Sequence, residues 1–283
     1  MNSSKSAQIA VDVRGRPRWF RLAQLVAVAG ALLASLALAG ANASDAKPAV
    51  RPTIVLVHGA WADPSGWDQV VRELGKHKYP TVAPTLDLMS VEGDVATVRA
   101  ALDDIPGDKL LVAHSYGGFV ISGAAAGRTD VLGLVYTAAF VPDEGDSILS
   151  LGEGFTPPAA LPHLAFTGEF FNSPAYIAPP FFQPTFAQDL PDAQANMMNA
   201  AQRPVNAPIL ATPSGPVAWL TLPSWYAVSG VDLIIDPALQ RFMAQRADST
   251  TIEFADASHV GGFTRYAKDF TALIEDAVRT TTN

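Results

Sequence analysis

Leu110-Leu111-Val112-Ala113-His114-Ser115-Tyr116-Gly117-Gly118 is the stretch on which the fold turns. An apolar run closes on a serine, and small residues then continue to Ala126. That is the pattern of a strand turning into a helix so tightly that the serine stands at the tip, a nucleophile elbow. The tight turn demands small neighbours. Gly117 meets that demand, as does Ala113 two residues before the serine, where the common pattern has glycine. A serine at a helix N-terminus also serves as an ordinary cap. The preceding strand and the paired glycines favour the elbow.

Outward from the elbow, residues 53–57 form an unbroken β-branched apolar run that stops at His58-Gly59. Such a run marks a parallel strand buried on both faces. Similar runs lie at 131–139, 224–229 and 250–255, with a weaker one at 81–86. Between them apolar residues recur at helical spacing: Val95, Val98, Ala101, Leu102 and Ile105, then Leu239, Phe242 and Met243, then Phe270, Leu273, Ile274 and Val278. The alternation predicts an α/β fold, a mostly parallel sheet of about six strands flanked by helices. Residues 155–223 interrupt it with thirteen of the 22 prolines, and seven of the 14 phenylalanines fall between 155 and 186. Proline bars this stretch from the sheet, so it reads as a folded insertion of short helices and turns. The expected organisation is a core of residues 44–141 and 223–283 with a cap at 142–222.

Composition narrows the chemistry. With 283 residues, 49% hydrophobic and 16% charged, the chain is neither disordered nor collagen-like and has room for one or two domains. It has no cysteine, which removes a thiol nucleophile, a disulfide framework and a thiolate zinc site. A net charge of −8 argues against a nucleic-acid partner. Residues 1–43 differ from the rest, carrying five basic residues against Asp12 alone. Arg14 to Arg21 precede an apolar run at 22–40, which ends in Ala41-Asn42-Ala43 before Ser44. This reads as a secretory signal peptide, giving an exported protein with no stable membrane association after cleavage. An uncleaved membrane anchor is the alternative.

The elbow and the His58-Gly59-Ala60-Trp61 sequence closing the first strand resemble the α/β-hydrolase superfamily from Thr53 to the C-terminus. The resemblance implies that the backbone N–H groups of Ala60 and Tyr116 form an oxyanion hole, with His58 orienting its loop. A helix N-terminus at Tyr116 suits a developing oxyanion. Trp61, Phe181 and Phe182 are the candidates for lining an apolar substrate pocket.

A serine nucleophile needs a base, normally a histidine oriented by a carboxylate. Of the five histidines, His77 lies in a Lys-rich turn, His114 beside the elbow, His58 in the oxyanion loop and His163 in the insertion. His259 remains, in a loop after the last strand, where the superfamily places its base. Asp232 and Asp236 compete for the acid after the 224–229 strand. Asp236 precedes Pro237 and a helix, a capping signature. Asp232 matches the superfamily's acid position, although Leu233 stands where relatives often have Arg. Asp143 is a less usual location for the acid.

Within the superfamily, the chain resembles small hydrolases such as plant methyl-ester esterases and hydroxynitrile lyases. The lyases carry a lysine after the catalytic histidine; Val260 here speaks against cyanohydrin cleavage. Ser115 removes the aspartate-nucleophile dehalogenases. The expectation is hydrolysis of a small apolar carboxylic ester, without cofactor or metal. Lactone hydrolysis, cofactor-free haloperoxidase chemistry and ligand binding without turnover are the alternatives on the same residues.

Overall fold

The computed structural model describes residues 51–168 and 173–282. The signal-peptide segment and the insertion residues Phe170 and Phe171 lie outside the described residues. Six strands form one parallel sheet: β1 (Thr53–Val57), β2 (Thr81–Val82), β3 (Lys109–His114), β4 (Val131–Thr137), β7 (Ser224–Ser229) and β8 (Thr250–Phe254), in the order β2-β1-β3-β4-β7-β8. The four inner strands are buried almost residue for residue. Successive side chains point to opposite faces, so both faces of the sheet are covered. β2 is shorter than the sequence suggests, because Pro84 has no N–H to give the ladder. β8 closes the other edge with exposed Thr250, Thr251 and Glu253, which discourage further pairing.

Helices α1 (Asp68–Lys76), α2 (Val91–Asp104), α3 (Tyr116–Ala124), α8 (Pro237–Arg246) and α9 (Ala267–Thr281) cover the sheet. α2 packs against α3, and α1 against α9. The spacing that predicted α8 misplaced one residue. Phe242 is 47% exposed, and Gln240 occupies the buried face with Leu239 and Met243.

The insertion contains short helices α4 (Ile148–Leu151), α5 (Pro179–Phe186), α6 (Asp192–Ala200) and α7 (Pro208–Ala211). It also holds a two-stranded antiparallel sheet that helices and turns alone did not anticipate, β5 (Leu164–Phe166) with β6 (Ala175–Ile177). No proline falls inside either strand, so nothing blocks this local pairing.

Chain order places the site. β1 leads outward to β2 and β3 lies on the other side of β1, so the direction of strand addition reverses between β1 and β3. Ligands of open α/β sheets bind outside the carboxyl ends of the strands at such a point. The loops carrying Ala60 and Ser115 both leave the sheet there.

Candidate active site

Ser115 stands between β3 and α3 with φ 54° and ψ −126°, a conformation that costs a non-glycine residue on the order of 1 to 3 kcal/mol. The surrounding backbone imposes it. Ser115 N–H donates to the Ala138 carbonyl at 3.1 Å, and the Ser115 carbonyl accepts from Gly118 and Phe140 N–H at 3.0 and 3.1 Å. A Cβ at position 117 would stand 2.6 Å from the Val57 oxygen and 2.7 Å from that of His58, so only glycine lets the helix start this close to β1.

The loop after β1 is held by His58. Its Nε2 accepts from Leu86 N–H at 3.0 Å, which leaves Nδ1–H to donate to the Gly59 carbonyl at 2.9 Å. Burial lowers the pKa of this imidazole to about 4, so it is a neutral strut at neutral pH. Trp61 Nε1–H donates across to the Ala175 carbonyl of β6 at 3.0 Å, tying the loop to the insertion. Among the described residues, neither Ala60 N–H nor Tyr116 N–H donates to another group, and both residues line the cavity that Ser115 borders. The Tyr116 hydroxyl donates to the buried Asp94 carboxylate at 2.9 Å.

Asp232 and His259, from the loops after β7 and β8, meet with Nδ1 2.8 Å from Oδ2, both side chains fully buried. Asp232 Oδ1 also accepts from the N–H groups of Ile234 and Ile235 at 2.7 and 3.0 Å, and Oδ2 accepts from Gln240 Nε2 at 2.8 Å. With three other N–H donors on this carboxylate, His259 Nδ1–H is the donor to Oδ2, and Nε2 is the ring nitrogen not engaged by Asp232. Nε2 has no hydrogen-bond partner among the described residues. His114 joins this pair to the elbow. Its Nε2–H donates to the His259 carbonyl at 3.0 Å, its ring lies 4.5 Å from the His259 ring, and burial holds its pKa well below the usual histidine value.

The other candidates lie apart from this pair. Asp236 caps α8 through Ala238 N–H at 2.8 Å and accepts from Thr156 N–H of the insertion at 2.9 Å. Asp143 accepts from Glu144 N–H within its own turn. His77 is an exposed partner of Glu275, and His163 stacks on Phe181 with ring centres 3.7 Å apart.

Ser115 opens on a cavity of about 210 Å³ whose walls are largely aliphatic, among them Ile148, Leu161, Ile209, Leu210, Ile234 and Leu239. Trp61 is among its lining residues; Phe181 and Phe182 are not. Phe181 is turned outward onto His163, while Phe182 is buried against Phe186, because the helical turn of α5 points these neighbours in different directions. Phe186 instead sets its ring edge on His259, with centres 4.8 Å apart. Sequence reasoning also missed Gln240, whose only signal was a polar residue beside Leu239 on the apolar side of a helix. Among the described residues no group of three or more His, Asp or Glu converges as a metal site.

The pattern of the alpha/beta hydrolase family matches residues 54–272. A carbendazim hydrolyzing esterase of Nocardioides sp. (strain SG-4G) is 34% identical over 117 residues, 37% of this chain and 48% of that protein. The chain thus spans about half the length of that relative. The alpha/beta hydrolase nvfD of Aspergillus novofumigatus (strain IBT 16806) is 26% identical over 218 residues, 70% of this chain and 85% of that protein. The crystal structure of the pyrethroid hydrolase PytH superposes with a TM-score of 0.70 at 22% identity, covering 82% of this chain and 99% of that one. At that identity the likeness is one of fold.

Proposed function

Because the chain belongs to the alpha/beta hydrolase family, we propose that it is a serine hydrolase that cleaves small apolar carboxylic esters with Ser115, His259 and Asp232. The observation that carries this reading is the buried Asp232–His259 pair, Nδ1 2.8 Å from Oδ2, joined through His114 to the strained Ser115. In the proposed reaction Ser115 Oγ attacks the ester carbonyl carbon while its proton passes to His259 Nε2. The carbonyl electrons become an oxyanion that accepts hydrogen bonds from Ala60 and Tyr116 N–H. Collapse breaks the C–O bond, and the leaving alkoxide takes the proton from His259. Water, deprotonated by the same nitrogen, then releases the acid and restores Ser115. Asp232 keeps the imidazole in the required tautomer and stabilises its cation.

The aliphatic cavity favours an apolar acyl or alcohol group, and names such as carbendazim hydrolyzing esterase among relatives point towards ester substrates. We further propose that residues 1–43 direct export. Replacing Ser115 by Ala tests the central reading. Hydrolysis of p-nitrophenyl butyrate is expected to fall by several orders of magnitude while far-ultraviolet circular dichroism stays unchanged. A variant keeping more than about one per cent of the activity removes Ser115 as the nucleophile.

A further inference from the structure

Three side chains within four residues of the insertion reach the two loops that carry the acid and the base. Phe186, fully buried, meets the His259 ring edge-on at 69°. Gln188 Nε2–H donates to the Val231 carbonyl at 2.7 Å, one residue before Asp232. Asp189 Oδ2 accepts from Ser258 N–H at 3.1 Å, one residue before His259. Asp189 also lies so close to Gly261 that a Cβ there would be 2.3 Å from its Oδ2. The two gripped loops are themselves joined, Val231 N–H donating to the Ala257 carbonyl at 3.1 Å.

We propose that residues 186–189 form a clamp that positions His259 and Asp232 for the reaction, with Gln188 and Asp189 as positioning residues. The inference rests on the Ser115–His259–Asp232 reading and extends it, since it makes the insertion a part of the catalytic apparatus. The physical argument starts from the imidazole. Held only through Nδ1, the ring is free to swing about its bond to Asp232 and carry Nε2 away from Ser115. Phe186 and His114 pack on adjacent sides of the ring, their own ring centres 6.3 Å apart, and confine that swing, but only while the loop backbone stays in place. Asp189 and Gln188 fix that backbone from outside. The two polar contacts are made at a partly covered surface, where apolar packing would hold the insertion as well; a directional hydrogen bond adds orientation that packing lacks.

The test compares Asp189→Ala, Asp189→Asn and Gln188→Ala in the full protein, with kcat and KM for p-nitrophenyl butyrate and the rate at which a p-nitrophenyl alkylphosphonate modifies Ser115. Displacing a catalytic group by about 1 Å costs on the order of a hundredfold, so Asp189→Ala is expected to lower kcat roughly ten- to a hundredfold with KM nearly unchanged. Phosphonylation should slow in parallel. Asp189→Asn should recover most of the loss, because its side-chain carbonyl still accepts from Ser258 N–H. Should Asp189→Ala fail to fold, Gln188→Ala carries the same expectation at the Asp232 loop. Wild-type kcat per folded molecule in the alanine variants, a loss confined to KM, or an asparagine variant as impaired as alanine each overturns the clamp. Ser115→Ala measured alongside separates the two ideas: an active Ser115→Ala overturns the triad, whereas an inactive one beside a normal Asp189→Ala overturns the clamp alone.

Discussion

Asp232 and Asp236 lie four residues apart on one loop, and their hydrogen bonds give them different work. Asp232 is fully buried, with Nδ1–H of His259 among its four donors. Asp236 holds the start of α8 and the insertion's Thr156; burial pushes its pKa up, but the N–H groups of Thr156 and Ala238 outweigh this and hold it below the usual carboxylate value. Asp232→Asn would set an amide donor among four donors and favour the wrong imidazole tautomer. It should lower kcat on the order of 10⁴-fold. Asp236→Ala should leave kcat near wild type and cost about 0.5 to 2 kcal/mol in urea unfolding, through the lost cap. The reverse ranking would transfer the acid role to Asp236. Gln240 links both ends of this loop, donating to Asp232 Oδ2 and the Ile235 carbonyl and accepting from Ser229 N–H at 3.0 Å. Gln240→Leu leaves the Ser229 N–H and the Ile235 carbonyl without their partner and takes one donor from Asp232, so unfolding in urea should show a loss of roughly 1 to 3 kcal/mol or more.

Among the elements, the insertion divides its labour between α7 and α5. α7 turns Ile209 and Leu210 into the cavity beside Ser115, whereas α5 spends Phe182 and Phe186 on packing and on the His259 ring. Filling a wall is worth only about 1 to 3 kcal/mol per methylene-scale change, enough to move substrate preference without abolishing turnover. Ile209→Ala and Leu210→Ala should therefore shift the preferred acyl chain towards longer p-nitrophenyl esters. Phe181→Ala should leave the chain-length profile as it is. Phe182→Ala removes a fully buried ring and should lower stability by about 3 to 5 kcal/mol, read from the denaturant midpoint. A changed chain-length profile in Phe181→Ala would contradict the cavity walls described above.

At the scale of the whole molecule, two buried imidazoles couple folding to pH. His58 is lowered from 6.5 to about 4, and His114 is held well below 6.5, both mainly by burial. Between those values the unfolded chain binds protons that the native state refuses, so unfolding free energy rises with pH through that window. Acidification from pH 7 towards 4 should weaken the fold by up to about 1.4 kcal/mol per pH unit for each histidine, measured by urea titration at several pH values. His58→Gln, tested in the same way, should flatten the dependence; an unchanged slope would place the proton uptake elsewhere. Protein recovered from an exporting host should begin near Ser44, as N-terminal sequencing would show.

Much of the architecture was readable in short windows. An apolar run, a helical spacing and a tight Ser115-Tyr116-Gly117 turn are each encoded within about ten residues, because side-chain periodicity and backbone sterics act locally. That sufficed for the parallel sheet, the elbow and the short list from which Asp232 and His259 were drawn. The cavity walls were not readable in this way. Phe181 and Phe182 have the right composition for a lining, yet Ile209 and Leu210 hold the place, because docking of the insertion decides which face meets the cavity. The same holds for Gln240, Gln188 and Asp189, polar residues with no motif around them. Their partners stand between 8 and 69 residues away in the chain, so only the folded backbone brings donor to acceptor.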